Sequence, residues 1–302
     1  MTKTPLFARH QSGGVFTIVD EGLTTGNVFF VDSGSSDGSD ATDYGNNPDA
    51  PFATLDYAIG QCTANNGDRI YVMPGHTETV SGAAGIDFDV AGVTAVGLGN
   101  GADRPTITLS ATASTVHLDA ASTAIDNFLF TVSADATVGI DVDKTDCVLS
   151  RCEFRNAAAK EAVSWIDVNG GAANACDRTT IDGCVFYCPN AGTTAGVELG
   201  EVADRVAITN CVAVGDYGGA CIHNPTGKVL TNLLVADCIL ENKQTGDHAV
   251  ELVSACTGLL VRNAYSSDMT APTGVDPGSC YSVECYQADA IDTSGILAPV
   301  AT

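Results

Sequence analysis

Between residues 110 and 265 one three-part pattern returns about once every 26 residues, a period that means a stacked repeat. Its clearest mark is a column of cysteines in one local setting. Asp182-Gly183-Cys184-Val185, Thr209-Asn210-Cys211-Val212 and Ala236-Asp237-Cys238-Ile239 carry it, and Arg151-Cys152-Glu153 extends it upstream. Phe128 precedes the series and Ala264 follows it. The steps from Phe128 through Cys152, Cys184, Cys211 and Cys238 to Ala264 are 24, 32, 27, 27 and 26 residues. A second column reads apolar–acid–apolar and aligns Asp119, Asp141, Asp167, Glu198 and Glu251, with His223 filling one rung. A third is short and β-branched, as in Cys147-Val148-Leu149, Val206-Ala207-Ile208 and Leu259-Leu260-Val261. Glycine, asparagine and aspartate separate the columns, with no helical period between them.

Three short strands per repeat, each pairing with its equivalent in the next, predict an all-β parallel β-helix of roughly seven or eight coils. A sandwich does not account for the pattern, because nothing in it requires one residue type at one offset. In a β-helix an inward side chain sits about 4.8 Å from its counterpart, so like stacks on like. Cysteine is small and readily buried, which suits a narrow interior. The column Phe128, Cys152, Cys184, Cys211, Cys238 and Ala264 is therefore the expected core ladder.

The charge is lopsided: 13 Lys and Arg against 37 Asp and Glu, a net charge of −24. Nucleic acid and anionic membrane surfaces both want basic patches, so neither is an expected partner. A basic partner or a divalent cation remains compatible. Twelve cysteines raise the question of a disulfide scaffold, but their spacing follows the repeat and no CxxC pair occurs. They are expected to be reduced, as in a protein made in a host cytoplasm, and structural zinc is not expected. Met1-Thr2-Lys3-Thr4-Pro5 leads into Arg9-His10-Gln11 rather than an apolar run, so no signal peptide is expected. No apolar stretch approaches the roughly 20 residues that span a bilayer.

Residues 1–27 are polar and read as an extended N-terminal arm, and residues 28–265 read as the coiled body. Residues 266–302, with Pro272, Pro277 and Pro299, read as an irregular C-terminal cap or arm. Near the start, Asn27-Val28-Phe29-Phe30-Val31-Asp32 is a strand and Ser33 to Asn47 a polar loop. Leu55, Ala58, Ile59 and Cys62 then recur at helical spacing with Thr54 as N-cap, which predicts a short capping helix near 52–62. Ile70-Tyr71-Val72-Met73-Pro74-Gly75 closes this opening as a strand and a stop. A helix laid over the first coil hides an edge that would otherwise pair with another chain.

These four parts, in this order, resemble the opening of the pectate-lyase-like right-handed β-helix proteins. With the coils, the resemblance covers about residues 27–265 and implies a right-handed solenoid. Together with the stretch from Ala91 to Ile107, the opening is similar to a subset encoded by tailed bacteriophages among their head genes. That subset implies a virion structural protein that decorates or cements the capsid, a homotrimer whose partner is the major capsid protein. Two departures weigh against lyase activity. Trp165-Ile166-Asp167 is followed by Val168 where those lyases carry a histidine, and Arg151 and Arg155 lack the proline of the lyases' arginine element.

Candidate chemistry lies mainly on the acid column. Flanking residues point inward, so Asp119, Asp141, Asp167, Glu198 and Glu251 are expected to line one outer face. Carboxylates about 5 Å apart repel, and must raise some pKa values, bind cations or splay into solvent. Asp141, Asp167 and Glu198 are the residues an enzyme would use as acid and nucleophile or base in glycoside cleavage, at separations of about 5–5.5 Å or about 6.5–9.5 Å. The alternative is a solvated acidic face that meets a basic partner, and the low aromatic content, 6%, offers few platforms for sugar rings. Asp32, Asp37 and Asp40 in the polar loop are weak candidates for Ca²⁺. His76 near Glu78 is either an acid–base pair or a hydrogen-bonded loop histidine. Gly97-Leu98-Gly99-Asn100-Gly101 precedes no helix and is not a nucleotide loop. The expectation is a non-enzymatic virion protein without cofactor. The alternatives are a tailspike-like polysaccharide lyase or glycoside hydrolase and a non-catalytic receptor-binding fibre.

Overall fold

In the computed structural model, residues 26–225, 227–269 and 274–288 are described, together with residue 24 and the stretches 7–11, 14–18 and 297–299. Three strands per turn stack into a parallel solenoid of about eight turns, as the repeat predicts. One face is a ten-stranded parallel sheet running from Val28–Val31 to Tyr281–Val283. A second face runs from Thr77–Val80 through Leu129–Val132 and Glu153–Arg155 to Tyr286–Ala288. The third runs from Ile86–Asp87 through Ala136–Val142 and Ala162–Val168 to Val275–Asp276. Two long strands, Val185–Glu198 and Val212–His223, bend from the second face into the third.

One-residue corners set the register. Between the first and second faces the chain turns through a single residue at positive φ, at Asn127, Arg151, Gly183, Asn210, Asp237, Arg262 and Glu284. Asn, Asp and Gly tolerate this conformation best. Arg262 is held there by Asp237, Nε to Oδ1 2.7 Å, and Arg151 by Asp126, Nε to Oδ1 2.8 Å. Each corner aims the next residue inward, so Phe128, Cys152, Cys184, Cys211 and Cys238 are all buried in one column. Ala264 does not continue that ladder. It pairs with Ile239 on the outer surface, and the residue above Cys238 is Asn263, with Cys285 beyond it. The buried Asn263 accepts from the Cys238 amide at 2.9 Å and donates to Val235 O at 2.8 Å, so its amide replaces a sulfur rung with two hydrogen bonds. All twelve cysteines are free thiols. The thiols of Cys184 and Cys238 are pushed well up by the neighbouring sulfurs and by burial, so they stay neutral.

The inward positions of the second face hold an aromatic stack. Phe154 lies parallel to Phe130 at 5.2 Å and to Phe186 at 4.8 Å between ring centres. Trp165, fully buried, leans on Phe154 at 5.5 Å. Its place depends on Gly139 in the coil below, where a Cβ would lie 2.7 Å from the indole.

The capping helix is present as Leu55–Gly60, with the Thr54 hydroxyl accepting from the Tyr57 amide and Leu55, Ala58 and Ile59 buried. The polar loop is tied to it. Asp40 accepts from Ala53 N at 2.8 Å, Thr54 N at 3.1 Å and the Thr54 hydroxyl at 2.9 Å. Asp40→Ala is expected to cost about 1 kcal/mol, the usual worth of a cap, read as a lowered urea midpoint with an unchanged slope. An unchanged midpoint would show that the loop adds nothing to the closed end.

The expected N-terminal arm, 1–27, falls mostly outside the described residues. Within it Phe7–Gln11 and Gly14–Ile18 pair antiparallel. At the other end the coils continue past residue 265. Val275–Asp276, Tyr281–Val283 and Tyr286–Ala288 each add a strand to one face, so this part of 266–302 is solenoid and not irregular cap. Leu297–Pro299 then pairs antiparallel with Tyr286–Ala288. The proline-rich composition hid these short strands from a periodicity argument. Residues 270–273, 289–296 and 300–302 lie outside the described residues.

Candidate functional site

The outward column of the third face runs through eight rungs. Strand register stacks Asp87 on His117, His117 on Asp141, Asp141 on Asp167 and Asp167 on Glu198. Glu198 is followed by His223, Glu251 and Asp276. The apolar neighbours Ile140, Val142, Ile166, Val168, Val197 and Leu199 are buried, which turns the acids outward. Asp141, Asp167, Glu198 and Glu251 thus share one column.

Asp119 is not part of it. The strand that pairs with Ile140-Asp141-Val142 is Val116-His117-Leu118, so His117 takes the rung assigned to Asp119 from the sequence. Asp119 lies two residues further on and is ion-paired with Lys144, whose hydrogen bond lowers the pKa of its carboxyl. The triplet 118–120 repeats the apolar–acid–apolar pattern at the wrong offset, and strand pairing decides between the two. Asp87, His117, Asp143 and Asp276 went unread in the sequence. Ile86-Asp87-Phe88 and Val116-His117-Leu118 carry the same apolar–polar–apolar signal.

The histidines sit between acids. His117 Nε2 is 2.6 Å from Asp143 Oδ2 and 3.9 Å from Asp141 Oδ2, while its Nδ1 is 3.9 Å from Asp87 Oδ1. His223 has Nδ1 3.9 Å from Glu198 Oε1 and Nε2 3.9 Å from Glu251 Oε2. Glu198 also accepts from the Ser164 hydroxyl. Oδ1 of Asp87, Asp141 and Asp167 and Nδ1 of His223 are shielded from solvent and have no hydrogen-bond partner. Burial, and then the charge of Asp143, pushes Asp141 up to about 6. Asp167 is pushed up to about 7 by burial and then by Glu198 and Asp141. Gly200 makes this packing possible, since a Cβ there would lie 2.5 Å from Asp167 Oδ1.

The ligand atoms of His117, Asp141 and Asp143 lie within 4.8 Å of one another, close enough to share a cation. One imidazole nitrogen and two carboxylates suit a transition metal better than Ca²⁺, which takes six to eight oxygens. Asp32, Asp37 and Asp40, the calcium candidates of the polar loop, do not converge. Their carboxylates form no group within 4.8 Å of one another; Asp40 is spent on the capping helix, and Asp32 accepts from Gly34 N at 2.9 Å.

His76 is fully buried beneath the core ladder. Its Nδ1 accepts from Ser33 N at 3.0 Å, so Nε2 carries the proton given to Glu78 Oε2 at 3.2 Å. Glu78 in turn accepts from Leu55 N at 3.0 Å. The pair ties the loop and helix to the coil, the hydrogen-bonded alternative.

Two surface hollows lie on other faces, one lined by Tyr187, Val214 and Lys243 and one by Leu98, Asn100 and Arg151. Among the described residues the exposed aromatics Tyr187, Tyr281 and Tyr286 belong to strands of the first and second faces, away from the acid column.

The architecture defines a parallel β-helix with three sheets, a buried sulfur and aromatic ladder and an outward column of acids and histidines. No family model matches the chain, and no curated protein matches it. Among solved structures it is similar to a rhamnogalacturonan lyase, at a TM-score of 0.50 and 12% identity over 80% of this chain and 69% of that one. It is also similar to the tailspike protein of Acinetobacter phage vB_ApiP_P1, at a TM-score of 0.42 and 12% identity over 78% of this chain and 55% of the tailspike. Geobacillus virus E2 ORF18 aligns at a TM-score of 0.42 and 12% identity over 96% of this chain and 69% of that one. Similarity at this identity establishes the fold alone. No helix among the described residues is long and apolar enough to cross a membrane.

Proposed function

We propose that the chain is a non-enzymatic structural protein of a tailed-bacteriophage virion, a decoration or cement protein that binds and stabilises the head. The supporting observation is the extent of the acid column, which runs from Asp87 to Asp276 over the full height of the third face. Catalysis needs two carboxylates; a binding face uses all of them. The partner that fits is a protein surface carrying lysine and arginine, as on a major capsid protein, and attraction to such a surface weakens with salt. Immunogold imaging of intact particles, with antibody to residues 110–265, is expected to label heads. Label at tail tips, as for a receptor-binding fibre, or on no particle would overturn the reading.

One observation favours a second reading, polysaccharide cleavage. Asp167, pushed up to about 7, stands beside Glu198, and such a pair can divide acid and base roles near neutral pH. The residues carrying it would be Asp141, Asp167 and Glu198. Release of reducing ends from host polysaccharide, lost in Glu198→Gln, would establish this reading in place of the first.

A further inference from the structure

The second face changes character along its height. Its lower outward positions are hydroxyls at Thr77, Thr79, Thr106, Thr108 and Thr131, with Leu129 the one apolar side chain among them. Above them the register brings apolar side chains together. Val185, Val212, Ile239, Ala264 and Tyr286 stack in one outward column, with Tyr187 and Val214 beside it. Val185, Tyr187, Ile239 and Tyr286 are 38%, 51%, 55% and 48% exposed. A contiguous exposed apolar patch marks a contact site.

Charge identifies the occupant. The chain carries −24, so two copies repel unless they meet on a face of little net charge. This face meets that condition because its charges balance. Arg104 and Arg155 both hold Glu153, Lys243 lies 3.5 Å from Glu241, and Asp216 lines the same hollow as Lys243. The third face, with its eight-rung column of acids and histidines, repels a second copy and draws basic partners instead. We infer that the apolar upper half of the second face, centred on Tyr187 and Ile239, is where copies of this chain pack against one another. The homotrimer expected from the sequence would be built on this contact. The inference does not rest on the virion reading, since a tailspike-like enzyme could use the same contact.

The test is the mass of the full chain in solution by light scattering. Wild type is expected at a multiple of 30.8 kDa. The double variant Tyr187→Lys/Ile239→Lys is expected at 30.8 kDa with an unchanged circular dichroism spectrum. Glu251→Lys, on the third face, is expected to keep the wild-type mass. If the double variant fails to fold, Tyr187→Lys and Ile239→Lys are measured singly. A monomeric wild type at tens of micromolar would overturn the inference. So would folded Tyr187 and Ile239 variants that assemble as wild type does, or dissociation caused by Glu251→Lys.

Discussion

Phe154→Ala is expected to remove about 3–5 kcal/mol of stability, the loss typical of an aromatic deleted from a packed core. Phe154 is fully buried and touches three other rings: Phe130 below, Phe186 above and Trp165 beside it. Truncation leaves a hole that the neighbours cannot close, because their backbones are fixed by ladders on both sides. The position adds a second effect. A solenoid is stable chiefly through contacts between adjacent coils, so a void in the middle uncouples the coils below from those above. Urea unfolding followed by circular dichroism should show both a lower midpoint and a broader transition, with Phe154→Leu intermediate. A loss below about 1 kcal/mol with an unbroken transition would mean that the aromatic column is not what couples the coils.

Asp167→Asn should stabilise the protein at pH 8 and leave it nearly unchanged at pH 4. Burial and two neighbouring carboxylates lift Asp167 from the ordinary 3.8 to about 7. A raised carboxyl holds its proton longer in the folded chain than in the unfolded one. Its stabilising effect is complete below pH 4 and is lost as pH rises through 7, where the folded protein must carry a charge that the unfolded chain carries freely. That lift corresponds to roughly 2–4 kcal/mol at pH 8, allowing for partial solvent access. Asp141, raised to about 6, adds to the same slope. The opposite slope comes from carboxyls such as Asp146, which hydrogen bonds from Arg178 and then Thr145 lower to about 2; their stabilisation disappears as pH falls through that value. Wild type should therefore be most stable at mildly acid pH. Melting curves from pH 4 to 8 that are flat for wild type, or parallel for wild type and Asp167→Asn, would refute this account of the column.

The solenoid was legible because a three-strand coil repeats its chemistry at its own period. Cys152, Cys184, Cys211 and Cys238 follow identical corners, so their common burial could be read from spacing alone. The helix at Leu55–Gly60 was legible from its cap and its apolar spacing. Errors arose where two patterns satisfied the same rule. Asp119 and His117 are both flanked by apolar residues two apart, and only hydrogen-bonded register selects His117. Ala264 resembles cysteine in size, yet the rung is filled by Asn263, whose amide bonds Cys238 N at 2.9 Å and Val235 O at 2.8 Å where a rung thiol such as Cys238 reaches its carbonyl, Ile208 O, only at 3.6 Å. The place of His223 between Glu198 and Glu251 was legible as a rung of the acid column, but that of His117 against Asp141 and Asp143 was not. The latter depends on which outward residues fall on one rung, and coils of unequal length conceal that from a linear reading.

The repeated sulfur rungs also bear on how this chain finds its fold. Cys184, Cys211 and Cys238 follow steps of 27 and 27 residues, so a strand that docks one full coil too early still lays cysteine on cysteine. Such a mispaired intermediate satisfies its local contacts and is a kinetic trap rather than a dead end. What tells one coil from another is the set of features that occur once. Trp165 fits only above Gly139, and the three phenyl rings match only in consecutive turns. These irregular rungs act as a proofreading key. A variant that made them uniform would keep its interior contacts and lose the ability to count.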